Sequence, residues 1–243
     1  MKPIPIIACG LIAVIGLGFA AKETPEQTIG EYTTSLRGRE ANQRHNASLC
    51  LQKIDGKWIA PGEEFSFNDT VGSWSRDQGY RRAPVSFGGQ LVDAWGGGVC
   101  QSSTTLYNAA LMAGFEIVER NPHHYAPNYV DPGRDAAVAF PNIDLVIKNP
   151  YKTRVRISAR IHRDQIEIKL EGAIKEAPQV VIEQRRLKKS APAMITVGEG
   201  SQRRVRNIGK PGFEVETYRL IGDQKELLSR DSYPVMHSVV ERS

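Results

Sequence analysis

The sequence predicts an α+β protein, with a central buried helix and a flanking helix packed on an antiparallel sheet and a small all-β C-terminal appendage. Three features predict it. Ser102 to Gly114 repeats apolar residues at helical spacing, three later segments alternate apolar and polar residues, and beyond Gln179 the alternation is punctuated by glycines.

The central helix is the clearest element. Leu106, Ala109, Ala110 and Ala113 fall at i, i+3, i+4 and i+7, while Leu111 and Met112 lie off that stripe. A helix apolar nearly all round belongs in the core. Ser102 or Ser103 can cap its start, and Gly114 can end it. The flanking helix is expected over most of Ser35 to Ile54, ending near Asp55-Gly56. Residues 24–35 are polar and read as a linker. After the Pro61-Gly62 turn, Phe65 and Phe67 alternate as in a short strand, and residues 72–98 read as a long loop.

Ile143, Leu145 and Ile147 alternate with polar residues up to an Asn149-Pro150 break. Val155, Ile157, Ala159 and Ile161 repeat the pattern, as do Ile166, Ile168 and Leu170 after an Arg163-Asp164 turn. Period two with short turns predicts an antiparallel meander with one wet face. The tail, 178–243, holds the basic run Arg185-Arg186-Leu187-Lys188-Lys189, read as a solvated strand face, and the alternating Phe213, Val215 and Thr217.

Composition bounds the function. A chain with 40% hydrophobic and 24% charged residues is globular, and its +5 charge lacks the aromatic-basic clustering of a nucleic-acid surface. The basic excess suits anionic wall polymers. At the N-terminus, Lys2 precedes an almost uncharged run from Ile4 to Ala21, with small residues ahead of Lys22. Residues 1–21 therefore read as a signal peptide, or as an anchor, since about 20 apolar residues span a bilayer. The body is then extracytoplasmic, in the cell envelope, touching membrane only through that segment. Cys9 belongs to the leader, preceded by too short an apolar run for lipidation. Cys50 and Cys100 remain, and outside the cytosol they could form a disulfide.

The chemistry concentrates in Gly96-Gly97-Gly98-Val99-Cys100-Gln101-Ser102-Ser103-Thr104-Thr105. Glycines allow close backbone approach, and Cys100 sits at the mouth of the buried helix, where the dipole and unpaired N–H groups stabilise a thiolate and an oxyanion. Gly97, Gly98, Gln101, Ser102 and Thr104 are candidate substrate contacts, with Tyr129 and Arg134 downstream. A cysteine nucleophile needs a base and a group to orient it. His123, in an irregular segment after the helix, is the first candidate base; Asp135 can orient it, and His45 is the alternative. His162 points outward on a strand and His237 lies in the tail. Neither cysteine has a partner at zinc-site spacing and no phosphate-cradling loop is present, so no metal or cofactor is implied.

Pro61 to Asn68, Gly96 to Asn108, and Gly133-Arg134-Asp135-Ala136 ahead of Asp144-Leu145 together resemble the VanW domain over residues 35–172. Residues 178–243 resemble a G5 module, departing from it in length and glycine placement. The resemblance implies a peptidoglycan partner and a link to vancomycin resistance. It further implies L,D-transpeptidase-like acyl transfer, with Cys100 matching the family cysteine, His123 its downstream histidine, and Cys50 a small apolar core position. Two other functions stay open: a cysteine peptidase or amidase of the wall, and a non-catalytic peptidoglycan- or glycopeptide-binding envelope protein in which Cys100 is structural.

Overall fold

The computed structural model describes residues 25–87 and 90–243. The expected leader and Cys9 lie outside the described residues. Among those described, no helix is long and apolar enough to cross a membrane.

The chain opens with strand β1 (Gln27–Ser35), then helix α1 (Ala41–Ile54), short strands β2 (Trp58–Ile59) and β3 (Glu64–Ser66), and the single-turn helix α2 (Phe67–Val71). A hairpin of β4 (Arg82–Phe87) and β5 (Gln90–Trp95) leads into helix α3 (Val99–Met112), followed by β6 (Glu116–Glu119) and β7 (Val146–Lys148). Strands β8 (Val155–His162) and β9 (Gln165–Gly172) complete a sheet of order β1-β9-β8-β2, while β3, β7 and β6 form a second sheet. The predicted α+β class holds: α3 and α1 pack on the first sheet, around a core that includes Leu106, Leu111, Ile157, Ile168 and Leu170.

Several boundaries differ from expectation, each for a local reason. Residues 27–35 are a strand paired with β9 and not a linker. Its buried face is Ile29, Gly30 and Thr34, too weakly apolar to register as alternation, and Thr34 is held by a hydroxyl contact to Thr105 at 2.8 Å. Helix α1 fills most of the expected stretch and starts at Ala41, where Glu40 and Gln43 form a reciprocal capping box. Phe67 begins α2 rather than continuing β3, because Ser66 accepts the Asp69 amide and caps the turn. Part of the expected loop over 72–98 is the β4–β5 hairpin; its Pro84 carbonyl accepts from Gln43 Nε2 at 3.0 Å in place of another strand. Finally, β7 leaves the expected meander for the second sheet. Asn149 Nδ2 bonds the carbonyls of Ile59, Ala60 and Thr153, fixing the break between β7 and β8.

Gly30 is where β1 meets the end of α3. A Cβ there would lie 2.3 Å from Ala113 N and 2.6 Å from its Cα, so backbone would have to move. Gly30→Ala is expected to lose about 1–3 kcal/mol of stability through overpacking. Urea unfolding measures it, and an unchanged midpoint would mean that the sheet and helix are free to separate here.

The C-terminal region is all-β. One sheet has the order β10 (Val180–Ser190), β13 (Gly212–Ile221), β14 (Gln224–Tyr233); the other places β15 (Ser238–Arg242) between β11 (Met194–Val197) and β12 (Arg203–Asn207). The basic run on β10 is exposed. The first of these sheets is docked against the helical domain by buried polar contacts: Arg219 Nη1 donates to Phe115 O at 2.6 Å, Thr217 Oγ1 to Gly133 O at 3.3 Å, and the Gly133 amide to the Tyr233 hydroxyl at 2.8 Å.

Candidate active site

Helix α3 begins three residues earlier than Ser102, with Gly98 as N-cap at φ 107° and no side-chain cap. That left-handed conformation, and the Gln43 carbonyl oxygen 2.3 Å from where a Cβ would stand, require glycine. The Gly97 carbonyl is tied to Asn46 Nδ2 at 2.9 Å. Gly97 and Gly98 thus shape the turn that delivers Cys100 into the first turn of α3. Cys100 is partly exposed, its Sγ 3.4 Å from the Val138 carbonyl oxygen.

The loop after β6 brings His123 to the thiol. Its Nδ1 lies 2.6 Å from Asp135 Oδ2, which also accepts the His123 amide at 2.7 Å. With Nδ1 engaged, Nε2 is the nitrogen left free to act on the Cys100 thiol, and the two groups shift each other's proton affinity. The His123 side chain keeps 21% of its surface, whereas that of Asp135 has none. The opposite carboxylate oxygen, Asp135 Oδ1, accepts from Arg120 Nη2 at 3.0 Å and from the Tyr233 hydroxyl at 2.5 Å. Arg120, 6% exposed, also donates to the Asp135 backbone carbonyl at 2.6 Å and to Asp231 Oδ1 at 2.6 Å. Every lone pair of a fully desolvated carboxylate is thereby used, as its burial demands.

The electrostatics follow from these contacts. Burial pushes the Cys100 thiol up, but the hydrogen bond and positive charge of His123 outweigh it and leave the thiol below its ordinary value. Burial alone would push His123 down; the bonds to Asp135 and Cys100 overcome it and raise the imidazole to about 10. For Asp135 burial is likewise overcome, by His123 and Arg120, and the carboxyl sits below the usual range. Both shifts favour a thiolate–imidazolium pair, braced by a carboxylate.

Other candidates are placed differently. Gln101, Ser102 and Thr104, expected to touch substrate, point inward and are buried. Gln101 Nε2 ties α3 to the Ser35 carbonyl at 2.8 Å, and Thr104 Oγ1 accepts the Ala136 amide at 3.0 Å. Arg134 reaches Asn108 at 2.7 Å, two turns along α3, with its guanidinium over the Tyr32 ring. Tyr129 does stand at the site: its hydroxyl donates to Cys100 O at 3.3 Å, and its ring is edge-on to His123 at 6.4 Å. His45 Nε2 is 3.0 Å from the Gly79 carbonyl, leaving His123 as the imidazole that engages the thiol. The Val99 and Gln101 amides are taken by the Gly96 and Gly98 carbonyls. Cys100's own N–H has no such acceptor among the described residues. No disulfide forms: both cysteines are free, and Cys50 is a core residue of α1 whose thiol burial pushes up to about 12.

Arg120, Asp231, Tyr233 and Arg39 were not singled out from sequence. Arg120 adjoins the His123 segment and could have been. Tyr233 lies 98 positions from Asp135, and no spacing rule links them.

An α+β domain carrying a Cys–His–Asp cluster at the start of its central helix is therefore the class that fold and site define. A family model described as VanW like protein matches residues 42–171, and the chain belongs to the VanW-like family. It is 40% identical over 134 residues to the uncharacterized protein YoaR of Bacillus subtilis (strain 168), covering 55% of this chain and 44% of that protein. It is 30% identical over 116 residues to the vancomycin B-type resistance protein VanW of Enterococcus faecalis (strain ATCC 700802 / V583), covering 45% and 42%. The chain thus spans less than half the length of these curated relatives. Among solved structures, an IgA1 protease G5 domain aligns at 20% identity with a TM-score of 0.19, over 28% of this chain and 93% of that one. Asp231 and Tyr233 lie outside the residues the family model matches.

Proposed function

We propose that the protein is an extracytoplasmic cell-wall protein, associated with vancomycin resistance, that performs cysteine acyl transfer on peptidoglycan stem peptides. The juxtaposition of Cys100, His123 and Asp135 is the observation that carries this reading. Family membership and the resistance-protein relative support the wall connection, and the leader-like sequence supports export.

In the reaction, the Cys100 thiolate attacks the carbonyl between an L- and a D-centre of a tetrapeptide stem and forms a C–S bond. The oxyanion takes the Cys100 N–H. As the C–N bond breaks, His123 Nε2–H protonates the leaving D-amino acid. An acceptor amine from a second stem then attacks the thioester, loses a proton to Nε2, and expels the thiolate. Water in place of the amine gives hydrolysis.

The mature chain, from Lys22 onward, incubated with disaccharide-tetrapeptides, is expected to give cross-linked dimers by mass spectrometry, and the Cys100→Ala chain none. Trimmed monomers in place of dimers would make it a wall peptidase. Identical spectra from both folded proteins would end the catalytic reading in favour of a binding protein.

A further inference from the structure

Building on the reading of Cys100 as acyl-transfer nucleophile, we propose that Arg39 forms a subsite for a carboxylate of the peptide substrate, beside the thiol. Arg39 lies in the turn between β1 and α1, partly buried, and all its partners are neutral. Its Nε donates to Gln101 Oε1 at 2.9 Å, its Nη2 to Asn128 Oδ1 at 3.1 Å, and its guanidinium carbon stands 5.0 Å over the Tyr129 ring. That same ring is edge-on to His123, and its hydroxyl reaches the Cys100 carbonyl, so Arg39 is one aromatic ring away from the reacting pair.

Lys210 comes from the other module, on the segment before β13, its backbone paired with Met236. It is also partly buried, and burial first, then the Arg39 charge, holds its ammonium below the ordinary lysine value, so it adds to the positive field that Arg39 presents. Burial likewise lowers Arg39. Among the described residues neither cation is paired with a carboxylate. The more deeply buried Arg120 and Arg219, by contrast, hold Asp135, Asp231 and Glu226. A guanidinium partly stripped of water, without a counter-ion, destabilises the empty protein. An anion seated on it removes that penalty, and a carboxylate matches its planar donors.

A stem tetrapeptide offers carboxylates of two kinds: the α-carboxylate of its C-terminal D-residue and the acidic groups further back. The first is favoured, because it lies one residue beyond the carbonyl that Cys100 attacks. Seated on Arg39, it would orient the scissile bond and select peptides with a free C-terminus one residue past the cleavage point.

Titration calorimetry on the full mature chain carrying Cys100→Ser reads binding without turnover. Three tetrapeptides serve as probes: the free acid, its C-terminal amide, and a free acid whose other carboxylates are amidated. The C-terminal amide is expected to bind about tenfold more weakly than the free acid, a loss of about 1.4 kcal/mol, with the third peptide unchanged. Arg39→Gln, or Arg39→Met should the former fail to fold, is expected to shrink the difference to about twofold. A tenfold loss confined to the third peptide would keep the subsite but seat an acid from further back in the stem. Equal affinity for all three, no binding of the free acid, or a preference that survives both substitutions would overturn the subsite. Because binding is measured without the thiol, a chain that proves unable to turn over the free acid would refute catalysis separately.

Discussion

The Asp135→Asn chain is expected to unfold with about 3 kcal/mol less stability than the parent at neutral pH, the lower end of the cost of breaking a buried ion pair. The parent carboxylate is fully buried and receives four hydrogen bonds, from the His123 amide and ring, Arg120 and Tyr233. An asparagine amide would turn two N–H donors toward a shell made of donors, and at least one would go unsatisfied. The loss stays at the lower end because Arg120 keeps Asp231, 5% exposed, as a second anion. The pH dependence has a definite sign. The folded Asp135 carboxyl lies below its ordinary value, so its contribution is complete above the unfolded carboxylate range and fades as pH falls through the folded value. The parent should therefore lose this increment in acid while the Asp135→Asn chain has none to lose. Urea unfolding at neutral and acidic pH measures both. Curves that coincide at neutral pH would mean the buried network adds nothing net.

Alkylation of Cys100 by iodoacetamide should fall by about tenfold or more at pH 7 in the His123→Ala chain, because the thiolate fraction sets the rate. In the parent, His123 holds the thiol below its ordinary value against the pull of burial. The rate should thus level off at a lower pH than an ordinary thiol's and decline as pH falls through that lowered value. Without the imidazole, only the Val138 carbonyl contact opposes burial, and the rate should climb at higher pH than in the parent. Turnover adds a second limb. The imidazolium that protonates the leaving amine persists until about pH 10, so kcat/KM should be bell-shaped and drop on that basic side. Equal alkylation rates in parent and variant would place the control of the thiol in the helix end and not in His123.

The strongly periodic elements were legible in the sequence. The stripe from Leu106 to Ala113 sits in a helix apolar nearly all round, and β8 and β9 set valine, isoleucine and leucine against charged residues; apart from Ile161, which is exposed, their cores lie where the pattern put them. Strand β1 and the β4–β5 hairpin were not legible, because glycine, threonine, alanine and proline give no contrast between two faces. The start of α3 was misjudged for a related reason: a glycine N-cap works through backbone conformation and leaves no side-chain signature. Within the site, the cysteine, histidine and aspartate could be named from residue chemistry and resemblance. Their supports could not. Gln101 and Thr104 looked like substrate contacts because they adjoin Cys100, but on a helix buried all round adjacent residues face different neighbours. Arg120 and Tyr233 become relevant only when two distant segments close on one carboxylate.

That closure also constrains how such a chain can evolve. Tyr233 and Asp231 sit in one structural unit, and the Arg120 and Asp135 they serve sit in another. Exchanging either unit for an unrelated one by recombination would leave a buried guanidinium or carboxylate without its complement. The two units are consequently bound to be inherited as a pair, and a lineage that replaced one would have to rebuild the hydroxyl and the second acid at the matching positions.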